Sequence, residues 1–229
     1  MYIYSKLSRK CYLGAVIALF SLFPILSYSA DFVAGKDYEV LSEQARSLDP
    51  LSSKTVPAQD VVPVTEFFSY GCSWCYHIEP YFTGWLKKQG NAIQLTRVPV
   101  VFRPDWKLYA KAYYAIKQLK MESIIHPLLF KSIQEKTLPL NQPEIMRQFF
   151  IDHHCDANAV KNIFDDPASF NGELSEDMAS LAALHIQSVP SFIVNHRYKT
   201  DLRMAENETR LLEVLDYLVK MSQKSSSNA

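Results

Sequence analysis

The sequence is poor in glycine and has no excess of charge of either sign. Six glycines occur among 229 residues, too few for a glycine-rich phosphate-binding loop or for an all-β fold with many tight turns. Lysine plus arginine and aspartate plus glutamate both number 24, so no positive excess is available to bind a nucleic-acid backbone. We therefore expect an α-rich or α/β fold and no nucleic-acid partner.

No apolar stretch of the sequence is long enough to span a membrane. The longest runs from Tyr12 to Leu26 and has about 15 residues, whereas a spanning helix needs about 20. It follows three basic residues and precedes small residues, an order that is typical of a secretory signal peptide. We predict a signal peptide at residues 1–29, removed by cleavage after Ser29, with an uncleaved anchor as the alternative.

Cysteine is also scarce, because Cys11 leaves with the predicted signal peptide and three cysteines remain in the exported chain. Export leads to an oxidising compartment, where the close pair Cys72 and Cys75 can form and exchange a disulfide. For the third, Cys155, we expect a buried small side chain at the end of a helix. An intermolecular disulfide and a regulatory thiol are the alternatives for this residue.

Strand and helix patterns place the cysteine pair where a strand turns into a helix. The run Val61–Phe68 is rich in β-branched and aromatic residues and predicts a buried strand. Residues Tyr76–Gln89 have apolar residues at helical spacing, and a second strand is predicted at Ile93–Phe102. The three elements form a β–α–β unit, with Cys72 and Cys75 in its first connection.

Residues 104–173 predict an all-helical block, because four segments have apolar residues at spacings of three and four, with prolines near their boundaries. These segments are Trp106–Lys120, Glu122–Lys136, Gln142–His154 and Asn158–Asp166. A further helix at about Ser175–Gln187 leads to a strand at Ser191–Val194 that starts a hairpin. Thr209 is the predicted N-cap of the last helix.

Two cysteines separated by two residues at a helix N-terminus predict redox chemistry. The free N–H groups and the positive end of the helix dipole stabilise a thiolate at Cys72 and lower its pKa. Cys75, one turn further in, then acts as the resolving thiol. A purely structural disulfide is the alternative, but so short a loop would contribute little to stability.

Glu66 is a lone carboxylate in the apolar strand that precedes Cys72. A buried carboxylate costs free energy unless it is paired, so we expect Glu66 to have a raised pKa or a partner, with Arg97 as the candidate. We interpret Glu66 as the group that accepts the Cys75 proton when this thiol resolves a mixed disulfide. A simple ion pair is the alternative.

Two segments of the sequence resemble the thiol:disulfide interchange protein DsbA family: EFFSYGCSWCY at positions 66–76 and SVPSFIVN at positions 188–195. The resemblance spans nearly the whole exported chain. It implies an α/β architecture, a thioredoxin fold with an inserted all-helical domain. The thioredoxin domain would comprise residues 30–103 and 174–229, and the insertion residues 104–173.

The resemblance also implies a function, that of a periplasmic thiol-disulfide oxidoreductase that uses no cofactor. Such an enzyme introduces disulfide bonds into exported proteins with reduced cysteines, and a membrane quinone reductase such as DsbB reoxidises it. By the same resemblance Pro190 is cis and faces the cysteines, and the backbone of Val189 pairs with an extended substrate segment. A disulfide isomerase or reductase of this fold is the alternative, although Val189 before Pro190 resembles the oxidases.

The sequence departs from this family between the two cysteines, where Ser73 and Trp74 replace the usual proline and histidine. In the family the histidine helps to stabilise the nucleophilic thiolate. Ser73 can donate only a neutral hydrogen bond and Trp74 supplies bulk, so the thiolate lacks a cationic helper. We predict a less oxidising disulfide than a Pro-His version of the same chain would have.

Metal binding and client binding without catalysis are two alternatives to redox chemistry. Cys72, Cys75 and His77, together with the run His153–Cys155, offer ligands for zinc, but structural zinc sites usually have two compact ligand pairs. We therefore predict no metal site and expect the two histidines of that run to be exposed at a helix end. A protein that only holds its clients would keep a binding groove but would not need Cys72.

Overall fold

Five strands form one mixed sheet in the part of the chain that the structure describes. This computed structural model describes residues 32–54 and 61–226, so the predicted signal peptide at residues 1–29 lies outside it. The strands are β1 (Glu39–Val40), β2 (Val62–Phe68), β3 (Ile93–Pro99), β4 (Ser191–Val194) and β5 (Tyr198–Asp201). Their order in the sheet is β1-β5-β4-β2-β3, in which β2 and β3 are parallel and the other neighbours are antiparallel.

The described helices occur in three groups along the chain, separated by strands of the sheet. Before and between the first strands lie α1 (Glu43–Leu48), α2 (Pro50–Lys54) and α3 (Ser73–Gln89), and a short 3-10 helix at Gly90–Ala92 follows α3. After β3 come α4 (Trp106–Gln118), α5 (Glu122–Gln134), α6 (Pro143–Asp152), α7 (Ala157–Asp165) and α8 (Asn171–Ala183). The chain ends in α9 (Leu202–Ala205) and α10 (Glu208–Ser226), which follow β5.

The predicted β–α–β unit is confirmed, and it consists of β2, α3 and β3. All seven residues of β2 are buried, because this strand pairs with β3 on one side and β4 on the other. β3 ends at Pro99 and not at Phe102 as predicted, since β2 itself ends at Phe68. Beyond the end of β3, the Val100 N–H still donates a hydrogen bond of 2.7 Å to the carbonyl oxygen of Phe68, the last residue of β2.

The four helices predicted within residues 104–173 are all present, as α4 to α7. The next helix differs from its prediction, because α8 begins at Asn171 and ends at Ala183 instead of running from Ser175 to Gln187. Its end is set by His185, whose φ of 50° lies in the left-handed region and stops a right-handed helix. The predicted domain boundary at residue 173 therefore falls inside α8, and the boundaries stay a prediction.

The end of β2 packs directly into the helical block. The Phe68 ring lies 5.1 Å from the Tyr113 ring of α4 and 5.8 Å from the Phe130 ring of α5, centroid to centroid. These residues belong to one buried cluster that also includes Cys72 and Cys75. The core of the helices thus continues to the residues that precede and begin α3.

The last helix begins with a different cap from the one predicted. The Asn207 side chain accepts a hydrogen bond from the Arg210 N–H at 2.9 Å, whereas Thr209 lies within the first turn of α10. Asparagine is a strong N-cap residue, and the prediction of Thr209 was wrong by two positions. Among the described residues, no helix is both long enough and apolar enough to cross a membrane.

Candidate active site

Cys72 is the N-cap residue of α3, and its sulfur accepts hydrogen bonds at the start of the helix. Its Sγ accepts from the Cys75 backbone N–H at 3.3 Å. A hydrogen bond from the Cys75 thiol lowers the pKa of Cys72 to about 7, with help from the backbone N–H groups of Cys75 and Trp74 and against the effect of burial. The direction of this shift agrees with the prediction from the helix N-terminus, although the Cys75 thiol contributes more than the backbone N–H groups.

Cys75 lies one turn further into α3 and has the opposite surroundings. The residue is completely buried, and burial raises the pKa of its thiol well above the usual value, as does the hydrogen bond that it donates to Cys72. Both cysteines are free in this structure. The pair thus combines a sulfur that favours the thiolate with one that holds its proton.

The Val189–Pro190 peptide bond is cis, as the family resemblance implied. The Val189 carbonyl oxygen lies 3.3 Å from the Cys72 sulfur, within reach of the Cys72 S–H. Pro190 itself is buried directly before β4, and the Ser191 hydroxyl donates to the Ser188 carbonyl at 2.6 Å. The structure therefore brings Cys72 and the loop before β4 together, although they are 117 residues apart in the chain.

A groove of about 420 Å³ opens beside this loop. It is lined by Trp74, Ser188, Val189, Pro190, Asp201, Leu202, Arg203, Glu206, Asn207 and Glu208. Trp74 is 57% exposed, and its ring stands edge-on to His77 at 5.5 Å between centroids. Ser73 is exposed beside it, so both residues between the cysteines face outward.

Glu66 lies in β2, the strand that leads to the cysteines, and pairs with Arg97 of β3. Glu66 is completely buried, and its Oε2 accepts from the Arg97 Nε at 2.8 Å. Burial raises the pKa of Glu66 to about 7, because it outweighs the attraction of Arg97. The sequence predicted a partner or a raised pKa, and the structure shows both.

Arg97 is shared by three carboxylates, which together with a histidine form a charge cluster that is buried except at Glu122, whose side chain is 38% exposed. Its Nη2 lies 3.3 Å from the Glu79 Oε1, and its Nη1 lies 3.0 Å from the Glu122 Oε1. His126 completes the charge cluster, with its Nε2 at 3.4 Å from the same Glu79 oxygen. One guanidinium thus faces three acidic groups, and the charges of Glu79 and Glu122 add to the raised pKa of Glu66.

The charge cluster is electrostatically connected to the buried thiol. The negative charge of Glu66 contributes to the raised pKa of Cys75, so protonation of either group affects the other. The Glu66 Oε1 is buried and has no hydrogen-bond partner among the described residues. This oxygen is therefore available to accept a proton.

Sequence reasoning missed the other members of the charge cluster and the residues around them. Glu79 lies four residues after Cys75 on α3, so helical spacing could have placed it near the site. His126 and Glu122 come from α5, and no local pattern connects α5 to the cysteines. The same holds for Trp106 of α4, whose indole lies against Gly71.

The residues considered for a metal site are not brought together. His153 packs on Phe149 at 4.3 Å between ring centroids, and its Nδ1 lies 2.7 Å from the Phe149 carbonyl oxygen. Cys155 is buried, as predicted, and burial raises its pKa. His154 is exposed, and within residues 32–54 and 61–226 no three or more side chains of His, Cys, Asp or Glu are arranged so that they could hold a metal ion.

Several thiol:disulfide interchange proteins are similar to the chain over most of its length, although no family model matches it. The chain is 34% identical to the DsbA of Burkholderia cepacia over 190 residues, which are 83% of this chain and 85% of that protein. It is 26% identical to the DsbA of Pseudomonas aeruginosa (strain UCBPP-PA14) over 212 residues, 93% and 96% of the two proteins.

Solved structures agree with this relationship. The crystal structure of Pseudomonas aeruginosa DsbA has a TM-score of 0.73 at 25% identity and covers 86% of this chain and 97% of its own. The neighbours confirm the thioredoxin fold with a helical insertion. Because a relative above 30% identity matches more than four fifths of both sequences, the chain belongs to the thiol:disulfide interchange protein DsbA family.

Proposed function

We propose that the chain oxidises pairs of thiols in exported proteins to disulfides, with Cys72 as the attacked sulfur and Cys75 as the resolving sulfur. One observation carries this proposal, the placement of the pair at the N-terminus of α3: the Cys72 sulfur accepts the Cys75 backbone N–H at 3.3 Å and lies 3.3 Å from the Val189 carbonyl oxygen, whereas Cys75 is completely buried. A stabilised Cys72 thiolate favours the reduced dithiol form, which makes the disulfide an oxidant. Membership of the DsbA family supports the same reaction.

The exchange proceeds in two steps. A client thiolate attacks the Cys72 sulfur of the Cys72–Cys75 disulfide, a client–Cys72 bond forms, and Cys75 leaves with the electron pair of the broken bond. A second client thiolate then attacks the client sulfur, and Cys72 leaves as a thiolate. The client loses two electrons and the enzyme gains them. Cys72 leaves readily because its pKa is about 7.

Glu66 acts as the proton carrier for Cys75 in this proposal. The leaving Cys75 needs a proton because its pKa is well above neutral, and a Glu66 with a pKa of about 7 holds one to give. During reoxidation the steps reverse, so Cys75 returns the proton to Glu66 when it resolves a mixed disulfide. The unpartnered Oε1 of Glu66 supports this role.

The client segment binds in the groove beside the cis-proline loop. In this proposal the backbone of Val189, next to Pro190, pairs with an extended client segment whose cysteine reaches Cys72, and the 3.3 Å distance between the Val189 carbonyl oxygen and the Cys72 sulfur supports this role. Trp74 lines this groove, and Ser73 and Trp74 modulate the reactivity of Cys72 from the exposed first turn of α3. Residues 30–103 with 174–229 form the catalytic thioredoxin domain, and residues 104–173 form the inserted domain.

The reaction takes place in the periplasm, after removal of residues 1–29. The basic and apolar pattern of these residues supports export, and an oxidising compartment allows the disulfide to persist. A quinone-linked membrane protein of the DsbB type accepts the electrons and restores the Cys72–Cys75 disulfide. Family membership supports this partner.

A disulfide isomerase or reductase is the second candidate, and the Ser73–Trp74 dipeptide favours it because neither residue supplies a cation to the Cys72 thiolate. The reduction potential of the Cys72–Cys75 pair against glutathione separates the two, measured on Cys155→Ser protein to remove the third thiol. We expect a potential well above that of the glutathione pool, as a dithiol oxidase requires. A potential near the thioredoxin range, about −270 mV, would reject the oxidase.

A further inference from the structure

The groove beside the cis-proline loop has more acidic than basic side chains. Among the described residues that line it, Asp201, Glu206 and Glu208 are acidic and Arg203 is basic. The Arg203 Nη2 lies 3.2 Å from the Asp201 Oδ2, so these two charges offset each other. The charges of Glu206 and Glu208 remain, and a segment that binds in the groove meets a net negative charge.

These two carboxylates are open to a binding partner. Glu206 is exposed in the turn between α9 and α10, and its side chain makes no ion pair or hydrogen bond with a described residue. The side chain of Glu208 is 29% exposed, and its Oε1 lies 3.6 Å from the His77 Nε2. A neutral imidazole at this distance leaves the charge of the carboxylate in place. Arg210, in the first turn of α10, pairs with Asp37 instead.

Trp74 adds an aromatic surface to the same groove. It is 57% exposed, and its ring lies 5.5 Å from that of His77, the residue that approaches Glu208. The face of an indole attracts cations, and the long side chains of lysine and arginine cover apolar surface while their charge stays accessible. An exposed indole beside unpaired carboxylates is therefore suited to an arginine or lysine side chain.

The groove begins at the reacting sulfur. Val189 lines it, and the Val189 carbonyl oxygen lies 3.3 Å from the Cys72 sulfur. Trp74, on the other side, lies two residues after Cys72. An extended chain rises about 3.3 Å per residue, so side chains within two residues of a client cysteine lie within about 7 Å of it along the chain. Such side chains reach the groove when the client cysteine reaches Cys72.

We propose that this groove selects client segments with an arginine or lysine within about two residues of the reacting cysteine. Trp74 packs on that side chain, and Glu206 and Glu208 face its charge. This inference rests on the proposed function and names its substrate class, basic cysteine-containing segments. Because the contacts are exposed, they act on the binding of the client, and their effect weakens as salt is added.

The test compares three unstructured peptides with two cysteines each, identical except for arginine, glutamine or glutamate on both sides of the first cysteine. Each reacts with oxidised Cys155→Ser protein. The two peptide thiols become a disulfide, and two electrons and two protons pass to the Cys72–Cys75 pair. Acid quenching and mass spectrometry give the second-order rate constant.

The flanking charge also changes the reactivity of the peptide thiol itself. Each rate constant is therefore divided by that of the same peptide with hydroxyethyl disulfide, a small neutral disulfide. The normalised rates then report only what the protein adds.

We expect the normalised rate of the arginine peptide to exceed that of the glutamate peptide at least about fivefold at low ionic strength, and the two to converge at about 0.5 M sodium chloride. The double variant Glu206→Gln with Glu208→Gln should reduce this ratio to less than about twofold. The matched control, Glu144→Gln with Glu173→Gln, removes two exposed charges of α6 and α8 outside the groove and should keep the ratio of the parent.

Trp74→Leu tests the aromatic contact, because leucine keeps an apolar side chain but has no π face. The preference for the arginine peptide over the glutamine peptide should fall in this variant. An unchanged preference would overturn the role given to Trp74.

Equal normalised rates for the three peptides, or a ratio that the groove double variant leaves unchanged, would overturn the proposal. Fast oxidation of all three at equal normalised rates would leave the proposed function standing. If the parent oxidised even the glutamine peptide no faster than hydroxyethyl disulfide does, the proposed function itself would fall.

Discussion

At the scale of single residues, the two sulfurs of the redox pair behave differently when their disulfide breaks. Cys72 sits at a helix N-cap with N–H groups directed at it, so it can leave as an anion at neutral pH. Cys75 is completely buried and needs a proton on leaving. In the proposed reaction, this difference makes Cys72 the sulfur that exchanges with partners and Glu66 the group that carries the Cys75 proton.

Trp74→His is predicted to make the Cys72–Cys75 disulfide more oxidising. An imidazolium in this exposed first turn supplies the cationic helper that the Cys72 thiolate lacks. Each unit by which the pKa of Cys72 falls stabilises the thiolate by about 1.4 kcal/mol, which is about 30 mV for a two-electron couple. Equilibration with glutathione gives the potential, and the ultraviolet absorbance of the thiolate gives the pKa.

Trp74→Ala is the control for this substitution, because it removes the indole without adding a cation. It should leave the pKa of Cys72 near about 7. Equal changes in potential for the alanine and histidine variants would show that the bulk of Trp74 matters and that the cation does not.

At the scale of elements, the start of α4 packs against the turn that precedes α3. A Cβ on Gly71 would lie 2.6 Å from the Cε2 of Trp106, closer than two such atoms can approach. We predict that Gly71→Ala displaces the Trp106 indole or the Cys72 turn and costs about 1–3 kcal/mol of unfolding free energy. Urea unfolding of the reduced protein measures this loss.

Gly84→Ala in α3 is the matched control, since a Cβ there meets no atom within 4 Å. Because glycine in a helix interior costs about 0.5–1 kcal/mol relative to alanine, this variant should be more stable than the parent protein. Equal destabilisation of both variants would contradict the steric explanation for Gly71.

The sequence predicted the elements whose pattern is local and left out contacts that only packing creates. β2, α3 and the helices α4 to α7 follow from apolar spacing, and the cysteine pair lies at the predicted junction. The cap of α10 was misplaced because Asn207 and Thr209 are both suitable cap residues two positions apart. His126 was missed because a lone histidine at a buried helical position has no sequence signal for the Tyr70 and Glu79 contacts.

At the scale of the whole molecule, the redox pair belongs to the same buried cluster as the helical block. Cys72 and Cys75 pack in one core with Phe68, Tyr113 and Phe130. A change in the charge of Cys72 therefore changes the stability of the whole folded chain, because Cys72 does not lie on a separate active-site loop. The reduced and oxidised forms are expected to differ in stability, by an amount that depends on pH.

The sign of this dependence follows from the lowered pKa of Cys72, about 7 in the folded protein against 9.0 for the free thiol. The folded reduced state binds fewer protons than the unfolded state between these values, so its stability rises with pH there and is lost as pH falls through about 7. From pH 7 to pH 8.5 the gain is at most about 2 kcal/mol, because the thiolate is partly screened by solvent. The oxidised protein has no such thiol to titrate. The urea midpoint of the reduced form should therefore rise relative to that of the oxidised form across this range. Reduced Cys72→Ser protein is the control and should lack this rise. Parallel pH profiles of the urea midpoint for the two redox forms would contradict a stabilised Cys72 thiolate.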